Sequence, residues 1–136
     1  MRFTASVDVV LCSWLLYAWI HEARSVEGIL REFHRVLKPG GVLGVVDHRG
    51  NPAIPQDPKA ASGYVNQNDA VRLIEAAGFR LVGVSEINAN PRDTRDHGKG
   101  VWSLPPTYAE GDKDRARYAA IGESDRMTLR FRKPAK

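Results

Sequence analysis

Arg35-Val36-Leu37-Lys38-Pro39-Gly40-Gly41-Val42-Leu43-Gly44-Val45-Val46-Asp47 decides the reading of this chain. Its first residues close an amphipathic helix. Val26, Ile29, Leu30, Phe33, Val36 and Leu37 recur at helical spacing and predict a helix near 22–37 with one apolar face. Lys38-Pro39-Gly40-Gly41 then stops it, because proline cannot continue a helix and glycine supplies left-handed backbone. Val42 to Asp47 is almost continuously apolar, which suits a parallel strand covered on both faces.

Outward from this turn the pattern repeats. Val7 to Cys12 is rich in β-branched residues and predicts a buried strand, followed by an apolar segment from Trp14 to Ile20. Residues 67–77 predict a second helix, with Asn66 as N-cap, Asp69 completing a capping-box-like pair and Gly78 just past the end. Arg80 to Ile87 reads as a third strand. Residues 88–125 form a long polar loop with a short helix expected over Asp112 to Ile121. Met127, Leu129 and Phe131 alternate with polar residues, which predicts a half-buried antiparallel strand near an edge. Strands alternating with helices imply right-handed parallel crossovers in an α/β sheet.

Composition excludes several classes. The 136 residues are 43% hydrophobic and 26% charged, as in an ordinary globular domain. The net charge of +4 is spread among mixed signs, with no basic stripe interleaved with aromatics, so neither a nucleic-acid nor a membrane partner is expected. Only the pI near 9.5 suggests an RNA-modification module. Cys12 is the single cysteine, which excludes an internal disulfide and a cysteine-based zinc site and agrees with a cytoplasmic location. The apolar run from Val9 to Ile20 follows Met1-Arg2, yet Asp8, Ser13 and two tryptophans read against a signal peptide, and the run is too short for a membrane span.

The run R-V-L-K-P-G-G-V-L resembles the turn between the fourth helix and fifth strand of class I, S-adenosylmethionine-dependent methyltransferases. Val7 to Cys12 is similar to that family's strand four, Val42 to Asp47 to strand five, Glu75-Ala76-Ala77-Gly78-Phe79 to the helix end before strand six, and Met127 to Phe131 to strand seven. Val46-Asp47-His48-Arg49, Ser85 to Pro91, Val101 to Pro106 and Ile121 to Met127 resemble a bacterial group called predicted methyltransferases. The resemblance implies an α/β, partial Rossmann-like class I methyltransferase fold: three parallel strands plus a C-terminal antiparallel strand. Residues 1–136 would be the C-terminal portion of one domain, truncated, with strands one to three missing. The family's Gly-rich cofactor turn and its ribose-holding acidic residue have no match here; Gly98-Lys99-Gly100 lies in the long loop.

The resemblance implies S-adenosylmethionine as cofactor, held by the chain alone or only with the missing half, and a small-molecule substrate. Ligands of such sheets sit beyond the strands' carboxyl ends, which draws attention to Cys12, Ser13 and Trp14 as cofactor-binding residues. Asp47 and His48 are the candidate catalytic bases, and Tyr17, His21, Arg49 and Trp102 the candidate substrate contacts, Arg49 for an anionic group. Against these stand blander readings: core packing for Leu15, Leu16 and Trp19, and a loop-start salt bridge for the trio Asp47, His48 and Arg49. The long loop reads equally as a lid bearing Asn88, Asn90, Arg92, Trp102 and Tyr108 or as a packed excursion. His34 reads as inert, and His97 with Asp93 and Asp96 lacks a metal-ligand spacing, so no metal is expected. The strand at 7–12 would expose an unpaired apolar edge, so the competing function is a non-catalytic fragment or binding module that self-associates there.

Overall fold

The computed structural model describes residues 5–22 and 24–135; the Met1-Arg2 pair lies outside them. The elements are β1 (Val7–Ser13), α1 (Leu16–His21), α2 (Val26–Val36), β2 (Leu37–His48), α3 (Gln67–Ala76), β3 (Arg80–Ser85), a 3-10 turn at Gly100–Ser103, α4 (Arg115–Ile121) and β4 (Arg126–Arg132). They form one mixed sheet in the order β1-β2-β4-β3. β1 and β2 are parallel, and β4 runs antiparallel to both β2 and β3. Thus β1, β2 and β3 point one way.

The expectation that the last strand lies near an edge is corrected: β4 sits between β2 and β3. Its alternation comes from its two unlike faces. Met127, Leu129 and Phe131 are buried under the helices, while Arg130 and Arg132 stand exposed on the other face.

The helix expected near 22–37 is α2, and the apolar segment before it forms the separate short helix α1, which ends at His21. α2 begins only at Val26, where the Ser25 hydroxyl accepts the Gly28 amide at 3.0 Å. A serine at this position satisfies one of the first-turn amides that no carbonyl reaches. At the far end Leu37 turns extended and the chain enters β2 directly. Lys38-Pro39-Gly40-Gly41 bulges out of β2, since Val7 pairs with Leu37 but Val9 pairs with Val42. Gly40 takes φ +79°, and a Cβ on Gly41 would come within 2.8 Å of the Lys38 carbonyl and 3.2 Å of that of Asp8. Both glycines are therefore required for this turn to close.

The capping box at Asn66 is also corrected. The Asn66 side chain makes no cap; its amide donates to the Ile54 carbonyl at 2.8 Å, and Asp69 pairs with Arg72 instead. Gly78 takes φ +101° just past α3, as expected.

The core lies between the helices and one sheet face. Leu16, Leu30, Ala70 and Ile74 meet Cys12, Leu43, Val45, Leu129 and Phe131. At ~25 cal/mol per Å2 of apolar surface, each such side chain contributes roughly 1.5–3 kcal/mol. The opposite face shows Val9 at 59% and Leu11 at 70% exposure, both on the edge strand β1.

The segment 88–125 is a packed excursion. Buried Asp93 accepts from the Tyr64 hydroxyl at 2.7 Å, the Arg95 amide at 2.9 Å and the Asp125 amide at 2.8 Å, and pairs with His97 Nε2 at 2.8 Å. Glu110 accepts from Ser103 at 2.8 Å and Tyr118 at 2.5 Å. Val101 donates to the Ser62 carbonyl at 2.9 Å, stitching the excursion to the loop before α3. Among the described residues, no helix is long and apolar enough to cross a membrane.

Candidate functional site

The carboxyl ends of β1 and β2 carry Ser13 and His48, one strand apart. Trp14 leaves β1 with φ +55°, a left-handed conformation that costs a bulky residue about 1–3 kcal/mol. Its amide nevertheless donates to the Val46 carbonyl at 2.8 Å, and the residue is 43% exposed. A large apolar ring held in strained backbone at a strand's carboxyl end marks a place where geometry matters.

His48 is the polar centre. Its Nδ1 lies 2.5 Å from the buried Ser124 hydroxyl, which leaves Nε2 as the nitrogen for proton transfer. Its ring lies 6.0 Å from that of Tyr17, and Tyr17 meets Trp102 edge-on at 5.6 Å. Burial, helped by the charge of Arg126, pushes the His48 imidazole down to about 4, so it is neutral at pH 7. Neutral imidazole with one nitrogen tethered offers the other as a proton acceptor, a weak one at this pKa.

Asp47 faces the other way. It is wholly buried, and its two oxygens accept the Leu16 amide at 3.0 Å and the His48 amide at 2.8 Å. Burial pushes its carboxyl up to about 6 despite these bonds. Its carboxylate thus seats the start of α1 against the end of β2. Cys12 also points inward among core residues, and burial with the nearby Asp47 charge pushes its thiol up to about 11. Cys12, 2% exposed, therefore packs in the core.

Arg49 is fully engaged. It pairs with Asp125 through two bonds at 3.0 Å, with Glu86 at 2.7 and 3.0 Å, and with Gln67 at 3.0 Å. The bonds to Glu86 and Asp125 raise its pKa further. The salt-bridge reading describes it. His21 Nδ1 sits 3.1 Å from the Lys59 carbonyl at the exposed end of α1. Trp102 joins the ring cluster, but the other loop residues serve as ties. Asn88 reaches Thr128, Asn90 reaches the Ile121 and Glu123 carbonyls, Arg92 reaches Ala120, and Tyr108 lies under Arg115. Ser124 and Arg126 belong to the stretch Glu123-Ser124-Asp125-Arg126, which the sequence leaves as a structural turn or part of the mouth, with the turn favoured; in the fold both meet His48.

A concavity of about 970 Å3 lies beside the start of α3 and is lined by Arg49, Arg72, Arg95, Glu86 and Asp125 among others, but not by His48, Tyr17 or Trp14. Its carboxylates and arginines pair with one another.

A family model described as methyltransferase domain matches residues 2–45. The whole chain superposes on larger solved proteins. It covers 98% of itself and 52% of the [4+2]-cyclase SpnF at 19% identity, with a TM-score of 0.61. For an S-adenosylmethionine-dependent methyltransferase from Methanosarcina mazei the figures are 98%, 62%, 14% and 0.58. For one from Mesorhizobium loti they are 97%, 64%, 18% and 0.51. The chain has an α/β, methyltransferase-like fold with a four-strand mixed sheet. No curated protein matches the chain in sequence. The chain spans only about half to two thirds of the length of these structures. The chain superposes on a cyclase as well as on methyltransferases, so the fold alone does not set the reaction.

Ser13 and the strained, exposed Trp14 stand at the carboxyl end of β1, the side of an open α/β sheet on which ligands sit. The glycine-rich turn and the ribose-holding carboxylate are not among the described residues.

Proposed function

We propose that this chain supplies the acceptor side of a methyl transfer from S-adenosylmethionine to a small molecule. The observation that carries the reading is the His48–Ser124 pair beside Tyr17, Trp102 and Trp14 at the strands' carboxyl ends. The cofactor supplies a methyl group on an electrophilic sulfonium. Ser13 and Trp14 flank its methionine end. His48 Nε2 takes the proton of the acceptor's nucleophile as that atom meets the methyl, with Ser124 fixing the ring through Nδ1. Tyr17 and Trp102 pack against the acceptor and exclude water, so that alignment accounts for most of the acceleration.

The test is a titration of the isotopically labelled chain with S-adenosylhomocysteine, followed by amide and ring chemical shifts. The reading expects weak binding, with shifts concentrated at Ser13, Trp14, Tyr17 and His48. Shifts confined to the cleft beside α3, or none at saturating ligand, would overturn it.

A second reading rests on a separate observation. β1 is an edge strand whose Val9 and Leu11 are more than half exposed, a template for pairing with a second copy. On that reading the chain is a self-associating, non-catalytic module.

A further inference from the structure

Arg126 is the arginine that the site leaves underused. It pairs directly with His48 across β2 and β4, so both side chains rise from the same face of the sheet, opposite the helices. Its side chain is only 18% exposed, its Nε is buried without a hydrogen-bond partner, and its guanidinium stands 5.3 Å above the Trp14 ring. Its ion pair is with Glu123, at 3.4 Å from Nη1, and that carboxylate is 60% exposed. A charge-assisted bond of full strength is about 2.7–2.9 Å long. A mostly buried guanidinium with one long contact has given up hydration without recovering it. Arg49, by contrast, is saturated by two carboxylates.

We infer that the molecule acted on at His48 carries an oxyanion, a carboxylate or a phosphate, that Arg126 grips with its planar edge while Trp14 holds the guanidinium flat. This rests on the methyl-transfer reading and adds the chemical class of the acceptor. The fork of the guanidinium matches two oxygens of such a group, and stacking on an aromatic face fixes its plane. Glu123 meets Nη1, which leaves the edge with the unpartnered Nε for the anion. An anion there also cancels part of the positive charge that bears on His48, which makes the imidazole a stronger base only when the acceptor is seated. Proton acceptance is thereby coupled to recognition.

The experiment uses the whole chain with two probes, benzoate and inorganic phosphate, read by the shifts of the arginine Nε–H and His48 ring signals. Saturable binding is expected, with the His48 pKa higher in the bound form. Arg126→Gln should weaken binding at least about tenfold, the loss of one charged hydrogen-bonded pair. Arg126→Lys should recover part of it, and Arg130→Gln, on the same face of β4, should leave it unchanged. Tighter benzoate binding assigns a carboxylate, and tighter phosphate binding a phosphoryl group. Equal weakening by Arg126→Gln and Arg130→Gln would mean diffuse attraction to a basic face and overturn the proposal. So would a failure of both probes to bind, or displacement of benzoate by S-adenosylhomocysteine, which would give Arg126 to the cofactor's own carboxylate. If S-adenosylhomocysteine fails to bind while benzoate binds at Arg126, the methyl-transfer reading falls and the anion site stands.

Discussion

Replacing Asp47 by asparagine tests the account of how α1 is seated on β2. In the native chain both carboxylate oxygens accept backbone amides, from Leu16 and His48. Asparagine offers one acceptor and turns a donor toward the other amide, a mismatch that costs roughly 1–3 kcal/mol. The informative part is the pH dependence. Burial raises the native carboxyl to about 6 from the ordinary 3.8. Between those values the native state holds more protons than the unfolded state, so the Asp47 contribution to stability falls as pH rises through this window. The shift of about two units corresponds to roughly 3 kcal/mol, present as a penalty above pH 6 and absent below pH 4. The asparagine variant carries no such penalty. Its stability relative to wild type should therefore improve by up to about 3 kcal/mol from pH 4 to pH 7. Urea unfolding of both proteins at a series of pH values, read by circular dichroism, measures the difference. A gap that stays constant with pH, or that moves against the variant as pH rises, would refute the reasoning.

Other expectations concern the excursion and the edge. Asp93→Ala strands the Tyr64 hydroxyl, His97 and two amides, and should cost about 3–5 kcal/mol in chemical denaturation, whereas Tyr64→Phe removes one donor and should cost about 1–2 kcal/mol. Gly100→Ala would place a methyl 2.1 Å from the Ser62 carbonyl at a backbone with φ +61°, so proteolysis within residues 88–125 should accelerate sharply; unchanged cleavage would contradict the packing described. Leu11→Lys puts a charge on the edge strand and should shift the solution mass, measured by light scattering, toward the monomer if copies pair through β1.

Much of the fold was legible because one segment combines strong signals. Lys38-Pro39-Gly40-Gly41 separates a 3.6-residue period from a continuous apolar run, and each pattern has one structural solution. The place of β4 was not legible. Alternation reports one covered face, and an interior strand whose second face is open to solvent alternates as an edge strand does. The Ser25 cap, which starts α2 a few residues later than the apolar spacing suggests, was not read from the sequence, and the Asn66 cap failed because Ile54 offers its side chain a tertiary partner.

The site was legible by position and not by partner. Reading the strands' carboxyl ends picked out His48, Trp14 and Tyr17. It also picked out Cys12, Asp47 and Arg49, which share those ends but face the core or a salt bridge, because a shift of one residue along a strand reverses the face. Ser124 and Arg126 reach His48 from 76 and 78 positions away, a pairing that only the β2–β4 register reveals.

The most direct measurement is a crystal structure of the chain with S-adenosylhomocysteine. The account expects the ligand beyond the carboxyl ends of β1 and β2, its sulfur against Ser13 and Trp14 and facing His48. Ligand seated instead beside the start of α3, among Arg49, Arg72 and Arg95, would contradict it.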